Sequence, residues 1–197
     1  MSLLEDLRVA VDAMTELMNR LLDISQLKSG GITPNAVHFS IDSLIEKVVK
    51  GFNGQIRMKG LKLRSVPIRT TVHSDPALLK QILTNLLSNA VKFTEVGGVL
   101  VGCRRRGRNL RIEVWDTGFG IPEEKQDLIF DELYQLDNPA REAHKGQGLG
   151  LSIVKDAAKL LGVPIYVRSR LGKGSKFAVE VPLAVSSDSP SGDYQTT

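Results

Sequence analysis

Three short segments carry residues suited to holding a charged, flat ligand. Asn85, Asn89 and Lys92 follow at steps of four and three residues in Asn85-Leu-Leu-Ser-Asn-Ala-Val-Lys-Phe-Thr94. On a helix that spacing puts all three side chains on one face. Leu79, Ile82, Leu83, Leu86, Leu87, Ala90 and Val91 fill the remaining positions, so the polar stripe interrupts an otherwise core-seeking helix. Burying two amides and an ammonium without partners would cost several kcal/mol, so something polar must face them. Mg²⁺ prefers oxygen ligands and keeps waters and substrate phosphates in its shell, and an Asn carbonyl suits it.

Asp116 ends a strand-like run and enters Asp116-Thr-Gly-Phe-Gly-Ile121. A carboxylate accepts hydrogen bonds, so it matches an exocyclic amino group such as that of adenine and mismatches the guanine carbonyl. Gly118 and Gly120 allow turns with positive φ and close backbone approach to a flat ring; on its own the run would also serve as an ordinary strand-end turn. The third segment, Gly146-Gln-Gly-Leu-Gly-Leu151, precedes and opens a helix over Leu149 to Leu161. Amides without partners at a helix start, with the positive end of the dipole, make an anion site. Neither a Walker A pattern nor a Rossmann-type glycine turn occurs in the chain, so the phosphate cradle is of another type.

Positioning these segments takes an alternating framework. From Val37 to Ser40 the pattern predicts a strand, and from Ile41 to Met58 a helix with Leu44, Ile45, Val48, Val49 and Phe52 inward. Leu61 to Val66 and Thr70 to His73 read as short strands. Asp75-Pro76 is a helix start, with Asp75 as cap and Pro76 at the first helical position, and that helix runs to about Phe93. Val99 to Arg105 and Leu110 to Asp116 form a hairpin turning at Gly107-Arg108-Asn109. A polar stretch over Pro122 to Lys145, the helix from Leu149, and strands Pro164 to Ser169 and Ser175 to Val181 complete the pattern. In front of all this, Leu3 to Lys28 reads as one amphipathic helix. Its heptad a positions are Leu7, Met14 and Leu21 and its d positions Leu3, Ala10, Leu17 and Ile24, widened by Leu4, Val11 and Met18. A stripe that wide fits a packed helical bundle better than a bare two-stranded seam. The expected division is a helix over 1–30, a globular domain over 31–185 and a disordered tail or linker over 186–197, rich in Ser, Asp, Pro and Gly.

At 197 residues, 42% hydrophobic and 24% charged, the chain has the composition of a soluble globular protein. No apolar run reaches the ~18–20 residues of a membrane span. The single cysteine, Cys103, rules out an internal disulfide framework and suits a reducing compartment. A cytoplasmic location follows for this part of the protein, whether or not its parent carries a membrane anchor. The net charge of +4 permits contact with polyanions without implying nucleic acid. Arg104-Arg-Arg-Gly-Arg108 falls at a hairpin tip without interleaved aromatics and reads as a solvated turn. Cys103 reads as a packed thiol despite its basic neighbours, and Trp115, alternating away from Asp116, as a packing residue.

Taken in order, these segments resemble the catalytic, ATP-binding domain of sensor histidine kinases, in the GHKL superfamily with gyrase-type ATPases and heat-shock chaperones. Asn85 to Thr94 is similar to the N box, Asp116 to Ile121 to the G1 box, Ile129-Phe-Asp-Glu-Leu-Tyr-Gln135 to the F box and Gly146 to Leu151 to the G2 box. Gly172-Lys-Gly-Ser-Lys-Phe177 resembles the trailing glycine turn, and Leu22-Asp-Ile-Ser-Gln-Leu-Lys-Ser-Gly30 the end of the second helix of the dimerisation and phosphoacceptor hairpin. The resemblance implies an α+β fold, the two-layer α/β sandwich of the Bergerat type, with an N-terminal amphipathic dimerisation helix. It implies ATP and Mg²⁺ as cofactors. Asp116 would bind the adenine amino group, with Gly118, Gly120 and Ile121 along the ring. Asn89 would coordinate Mg²⁺, supported by Asn85, while Lys92 would neutralise phosphate and Phe93 flank the base or ribose. Gly148, with Gly146, Leu149, Gly150 and Leu151, would supply phosphate amides, and Gln147, His144 or Lys145 would reach the γ-phosphate. Phe130 and Tyr134 would anchor a lid, and Ser175 in the trailing turn joins the cofactor-binding set. Asn89, Lys92 and Gln147 would carry the catalytic roles.

The chain departs from that family in one respect. His38, His73 and His144 are its only histidines, and none lies on a helix that could partner the N-terminal one. The expectation is a fragment that starts at helix two, binds Mg-ATP and does not phosphorylate itself on the usual histidine. The expected partners are a second copy through the N-terminal helix, a phosphoacceptor histidine helix and a response regulator receiver domain, with no nucleic acid. The rival readings are a GHKL ATPase or serine kinase, and a pseudokinase module whose nucleotide pocket only regulates partners.

Overall fold

The computed structural model describes residues 31–135 and 148–184, together with Leu7, Arg8, Val11, Met14, Thr15, Met18, Leu22 and residues 25–27 of the N-terminal segment. The element order is β1 (Val37–Ser40), α1 (Ile41–Met58), β2 (Lys62–Ser65), β3 (Thr71–Ser74), α2 (Pro76–Lys92), β4 (Gly98–Arg106) and β5 (Asn109–Asp116). Two 3-10 turns (Glu123–Lys125 and Leu128–Phe130), α3 (Gly150–Leu161), β6 (Ile165–Arg170) and β7 (Gly174–Pro182) follow. The strands predicted from alternation form with ends shifted by a residue or two. The hairpin turn tightens to Gly107-Arg108, because Asn109 pairs with Arg106 inside the ladder.

The main sheet runs β2-β4-β5-β7-β6 and a separate two-stranded sheet pairs β1 with β3. Only β2 lies parallel to its neighbour in the main sheet; the other pairs are antiparallel. Alternation then sorts the side chains. Val99, Val101, Leu110, Ile112, Val114, Phe177, Val179 and Val181 are buried in one cluster with the inward residues of the helices, from Ile45 and Val48 on α1 through Leu83 and Leu87 on α2 to Ile153 and Ala157 on α3. This is a two-layer α/β sandwich, as expected. A small apolar cavity between the layers is lined by Ile45, Val48, Val49, Leu83, Leu87, Val101 and Val114.

Capping sets the ends of α2. The Asp75 carboxylate accepts from the N–H groups of Ala77 (2.8 Å) and Leu78 (3.0 Å) through Oδ1, as its place before Pro76 predicts. Its other oxygen, Oδ2, accepts from the N–H of Asn35 at 2.8 Å, which ties the segment entering the domain to the same helix start. In the N-terminal segment Leu7, Val11, Met14, Met18 and Leu22 are helical and exposed, whereas Leu27 is buried against the domain core. No described helix is long and apolar enough to cross a membrane. The expected tail over 186–197 lies outside the described residues.

Trp115 lies on the outer face of the sheet, 41% exposed. Lys176 Nζ sits 4.5 Å from its ring centroid, and its indole N–H donates to Glu113 Oε2 at 3.2 Å. Glu113 also accepts from Arg104 Nε at 3.1 Å, so one arginine of the basic run is committed to an ion pair. Arg111 pairs with Glu180 at 2.6 Å and lies 4.2 Å over the Tyr166 ring. Cys103 is a packed thiol: burial, with the charges of Asp42 and Glu113, pushes it up to about 12, which leaves it protonated at neutral pH.

Burial pushes the Glu113 carboxyl up, but hydrogen bonds from Arg104 and Trp115 and the Lys176 charge outweigh it and hold the group below its ordinary value. A depressed carboxyl stabilises the fold above its unfolded pKa and loses that contribution as pH falls through the folded value. Glu113→Gln is expected to cost about 1–2 kcal/mol at pH 7. Urea melts should show the gap closing as pH falls below ~4.

Candidate functional site

The stripe on α2 emerges as the spacing requires. Leu78, Leu79, Ile82, Leu83, Leu86, Leu87, Ala90 and Val91 are buried, while Asn85, Asn89 and Lys92 are only partly so. Asn85 Nδ2 donates back to the Gln81 carbonyl at 3.0 Å. Against this stripe lies the first turn of α3: a Cβ added to Gly150 would sit 3.2 Å from Asn85 Oδ1 and 3.5 Å from Asn89 Oδ1. The glycine thus lets the helix start come down onto both amides. Gly148 and Leu149 lead into that turn, Leu149 and Gly150 being buried and Leu151 half-buried. The leading N–H groups of such a helix have no acceptor within it.

The second convergence joins the end of α2 to the loop after β5. Phe119 N–H donates to the Phe93 carbonyl at 3.3 Å. A Cβ on Gly118 would drive into that same carbonyl, and one on Gly120 (φ 70°) into the Arg170 carbonyl. Both glycines are therefore required by close backbone contacts, and the positive φ of Gly120 adds a second reason. Lys92 Nζ lies 5.5 Å from the Phe93 ring centroid.

Asp116 sits between these contacts. Its Oδ1 accepts from the N–H of Gly118 at 2.9 Å and from the N–H of Ser175 at 3.1 Å. Two backbone donors from different elements fix the carboxylate where the loop begins. Ser175 is buried and acts on Asp116 through its backbone, while its hydroxyl lies 2.9 Å from Ser169 Oγ. Ile121 is buried, and its N–H donates to Ser169 Oγ at 2.7 Å. Gln126 Nε2 then bonds the carbonyls of Ser169 (3.0 Å) and Ile121 (3.3 Å).

Beyond this loop, Phe130 packs edge-on to Phe177 with centroids 6.4 Å apart, and Lys125 Nζ lies 6.0 Å from the Tyr134 ring centroid. Both aromatics are partly buried against the core. Gly148 backs onto the Leu133 and Tyr134 backbone, which joins the F-box-like run to the third glycine segment. His144, Lys145, Gly146 and Gln147 lie outside the described residues. Sequence reasoning missed Ser169, Gln126 and Lys59. Ser169 and Gln126 carry no motif, since each works by closing a loop whose partner strand is far away in the chain.

Comparison with known proteins agrees with this geometry. The family model described as "Histidine kinase-, DNA gyrase B-, and HSP90-like ATPase" matches residues 74–185. The sensor histidine kinase AruS of Pseudomonas aeruginosa is 37% identical over 193 residues, which cover 93% of this chain and 19% of that protein. The circadian input-output histidine kinase CikA of Synechococcus elongatus is 37% identical over 174 residues, covering 86% and 23% respectively. Among solved structures, full-length ShkA in complex with AMPPNP superposes with a TM-score of 0.81 at 31% identity, over 92% of this chain and 38% of that one. The chain spans about a fifth of the length of these curated relatives. The chain belongs to the histidine kinase-, DNA gyrase B- and HSP90-like ATPase family.

Proposed function

We propose that this chain is the ATP-binding catalytic module of a two-component sensor protein-histidine kinase, donating the γ-phosphate of Mg-ATP to a histidine on a helix outside this sequence. The observation that carries the reading is the double contact of α2, through Asn85 and Asn89 with the start of α3 and through Phe93 with the loop after β5. These contacts support a reading in which an acceptor for an amino-bearing ring, an amide-plus-ammonium stripe and a helix start serve one ligand.

Each residue has a role that its chemistry supports. Asp116, held by two amides, accepts from the adenine amino group, and the Gly118–Ile121 backbone follows the ring. Asn89, with Asn85 beside it, offers a carbonyl oxygen of the kind Mg²⁺ takes. The donor set fits that ion, which would supply charge neutralisation on the phosphates when bound. Lys92 adds a positive charge to the same task, and the α3 start presents N–H groups to phosphate oxygens. Transfer then depends on positioning and electrostatics, with an imidazole attacking in line. Gln147, His144 or Lys145 would reach the γ-phosphate in this scheme. The exposed stripe of Leu7, Val11, Met14 and Met18 supports dimerisation through the N-terminal helix. The downstream partner proposed is a response regulator receiver domain.

Titration with a fluorescent ATP analogue in Mg²⁺ should show saturable binding. Asp116→Asn presents a donor to the amino group and should weaken it roughly 10–100-fold. Asn89→Ala should abolish the gain in affinity that Mg²⁺ gives the wild type. Binding insensitive to both substitutions would overturn the assignment of the pocket.

With labelled ATP, the chain alone should accumulate no acid-labile phosphate, and a separately expressed hairpin bearing its histidine should become labelled when added. Release of inorganic phosphate without labelling of the hairpin would favour an ATPase. Binding with neither outcome would favour a regulatory pseudokinase.

A further inference from the structure

We propose that Lys59 is a positioning residue for the nucleotide site, holding the last turn of α2 so that Lys92 and Phe93 face the ligand; the inference rests on the ATP-binding reading above. Lys59 caps the end of α1, directly after Met58. Gly60 follows it with φ 65°, and the N–H of Leu61 closes the turn on the Ile56 carbonyl at 3.0 Å. With Leu61 buried, the direction in which Lys59 leaves the helix is set by backbone.

Its ammonium reaches across to the end of α2. Lys59 Nζ donates to the carbonyls of Val91 (2.9 Å), Lys92 (2.9 Å) and Thr94 (3.4 Å). A helix leaves its last four carbonyls without intrahelical partners, and here each acceptor in the final turn is accounted for. The Asn89 carbonyl accepts from Phe93 N–H at 2.9 Å, that of Ala90 from the Thr94 hydroxyl at 2.6 Å, and that of Phe93 from Phe119 N–H. Lys59 takes the remainder. An ammonium has three donors for three acceptors, and a cation is favoured at the negative end of the helix dipole.

Two of the three carbonyls it holds, those of Lys92 and Thr94, flank Phe93 in the chain. In the ATP-binding reading Lys92 supplies the phosphate-facing ammonium and Phe93 flanks the base or ribose; the Phe93 carbonyl meets the Gly118–Phe119 loop, and Thr94 begins the exit toward β4. A neutral side chain at position 59 would give these carbonyls to water and let the last turn fray, while leaving the α2 core residues and the sheet in place. Lys59 touches no substrate in this account; it acts through Lys92 and Phe93.

The test is a double-mutant cycle on the full chain, read as dissociation constants for a fluorescent Mg-ATP analogue and for adenosine, with wild type, Lys59→Met, Lys92→Ala and the double variant. Lys59→Met should weaken the triphosphate roughly tenfold and adenosine by clearly less. In the Lys92→Ala background the same change should cost no more than about threefold, since the group it orients is already gone. Lys59→Arg should keep most of the affinity. Wild-type binding by Lys59→Met would overturn the proposal, as would losses that simply multiply, or equal losses for triphosphate and adenosine accompanied by a lowered Tm. Should Lys59→Met fail to fold by circular dichroism, Lys59→Gln carries the same cycle under the same criteria. A wild-type chain that binds no nucleotide would instead overturn the ATP-binding reading itself.

Discussion

Close approach of backbone to backbone is the constraint on which this structure depends. Side chains normally hold neighbouring segments apart, and at Gly118, Gly120 and Gly150 there is none. The carbonyl of Phe93 can therefore meet the loop after β5, that loop can rest on the turn between β6 and β7, and the start of α3 can settle on Asn85 and Asn89. Polar groups that would be costly inside a core are thereby gathered at its rim, where a charged ligand can satisfy them. The hydrophobic core below supplies the rigidity, since Leu79, Ile82, Leu86 and Leu87 of the same helix are almost wholly buried.

Sheet and site are separated by alternation. Along β5, Leu110, Ile112 and Val114 enter the core, whereas Arg111, Glu113 and Trp115 form an outer face of ion pairs and cation–aromatic contacts. Asp116 comes next, at the point where the strand runs out, so its carboxylate belongs to the inner side, where it meets the loop after β5. The strand that ends in Asp116 thus carries on its other surface a separate polar network of Arg111, Glu113 and Trp115.

Much of this was legible in the amino-acid sequence because the signals were local. The apolar spacing of Ile41, Leu44, Ile45, Val48 and Phe52 marks α1, Asp75-Pro76 marks the start of α2, and the Asn–Asn–Lys stripe and two glycine runs mark the site. What could not be read was non-local. Lys62-Leu-Arg-Ser65 reads as a strand, but nothing in it announces a parallel pairing with β4 at the sheet edge. Alternation gave the face of Trp115, but how far that face is covered is decided by the rest of the chain. Ser169 and Lys59 act through backbone groups far away in the chain, and such partners leave no trace in spacing.

The shared carboxylate of Asp75 has a mechanical consequence. One of its oxygens secures the first turn of α2 and the other secures Asn35, which lies between the N-terminal helix and the domain. A tug or twist on that lead-in segment would be delivered to the near end of a rod whose far end holds Lys92, without passing through the five-stranded sheet. Seventeen residues of α2, stiffened by a packed flank, form a lever arm between the coupling joint and the pocket.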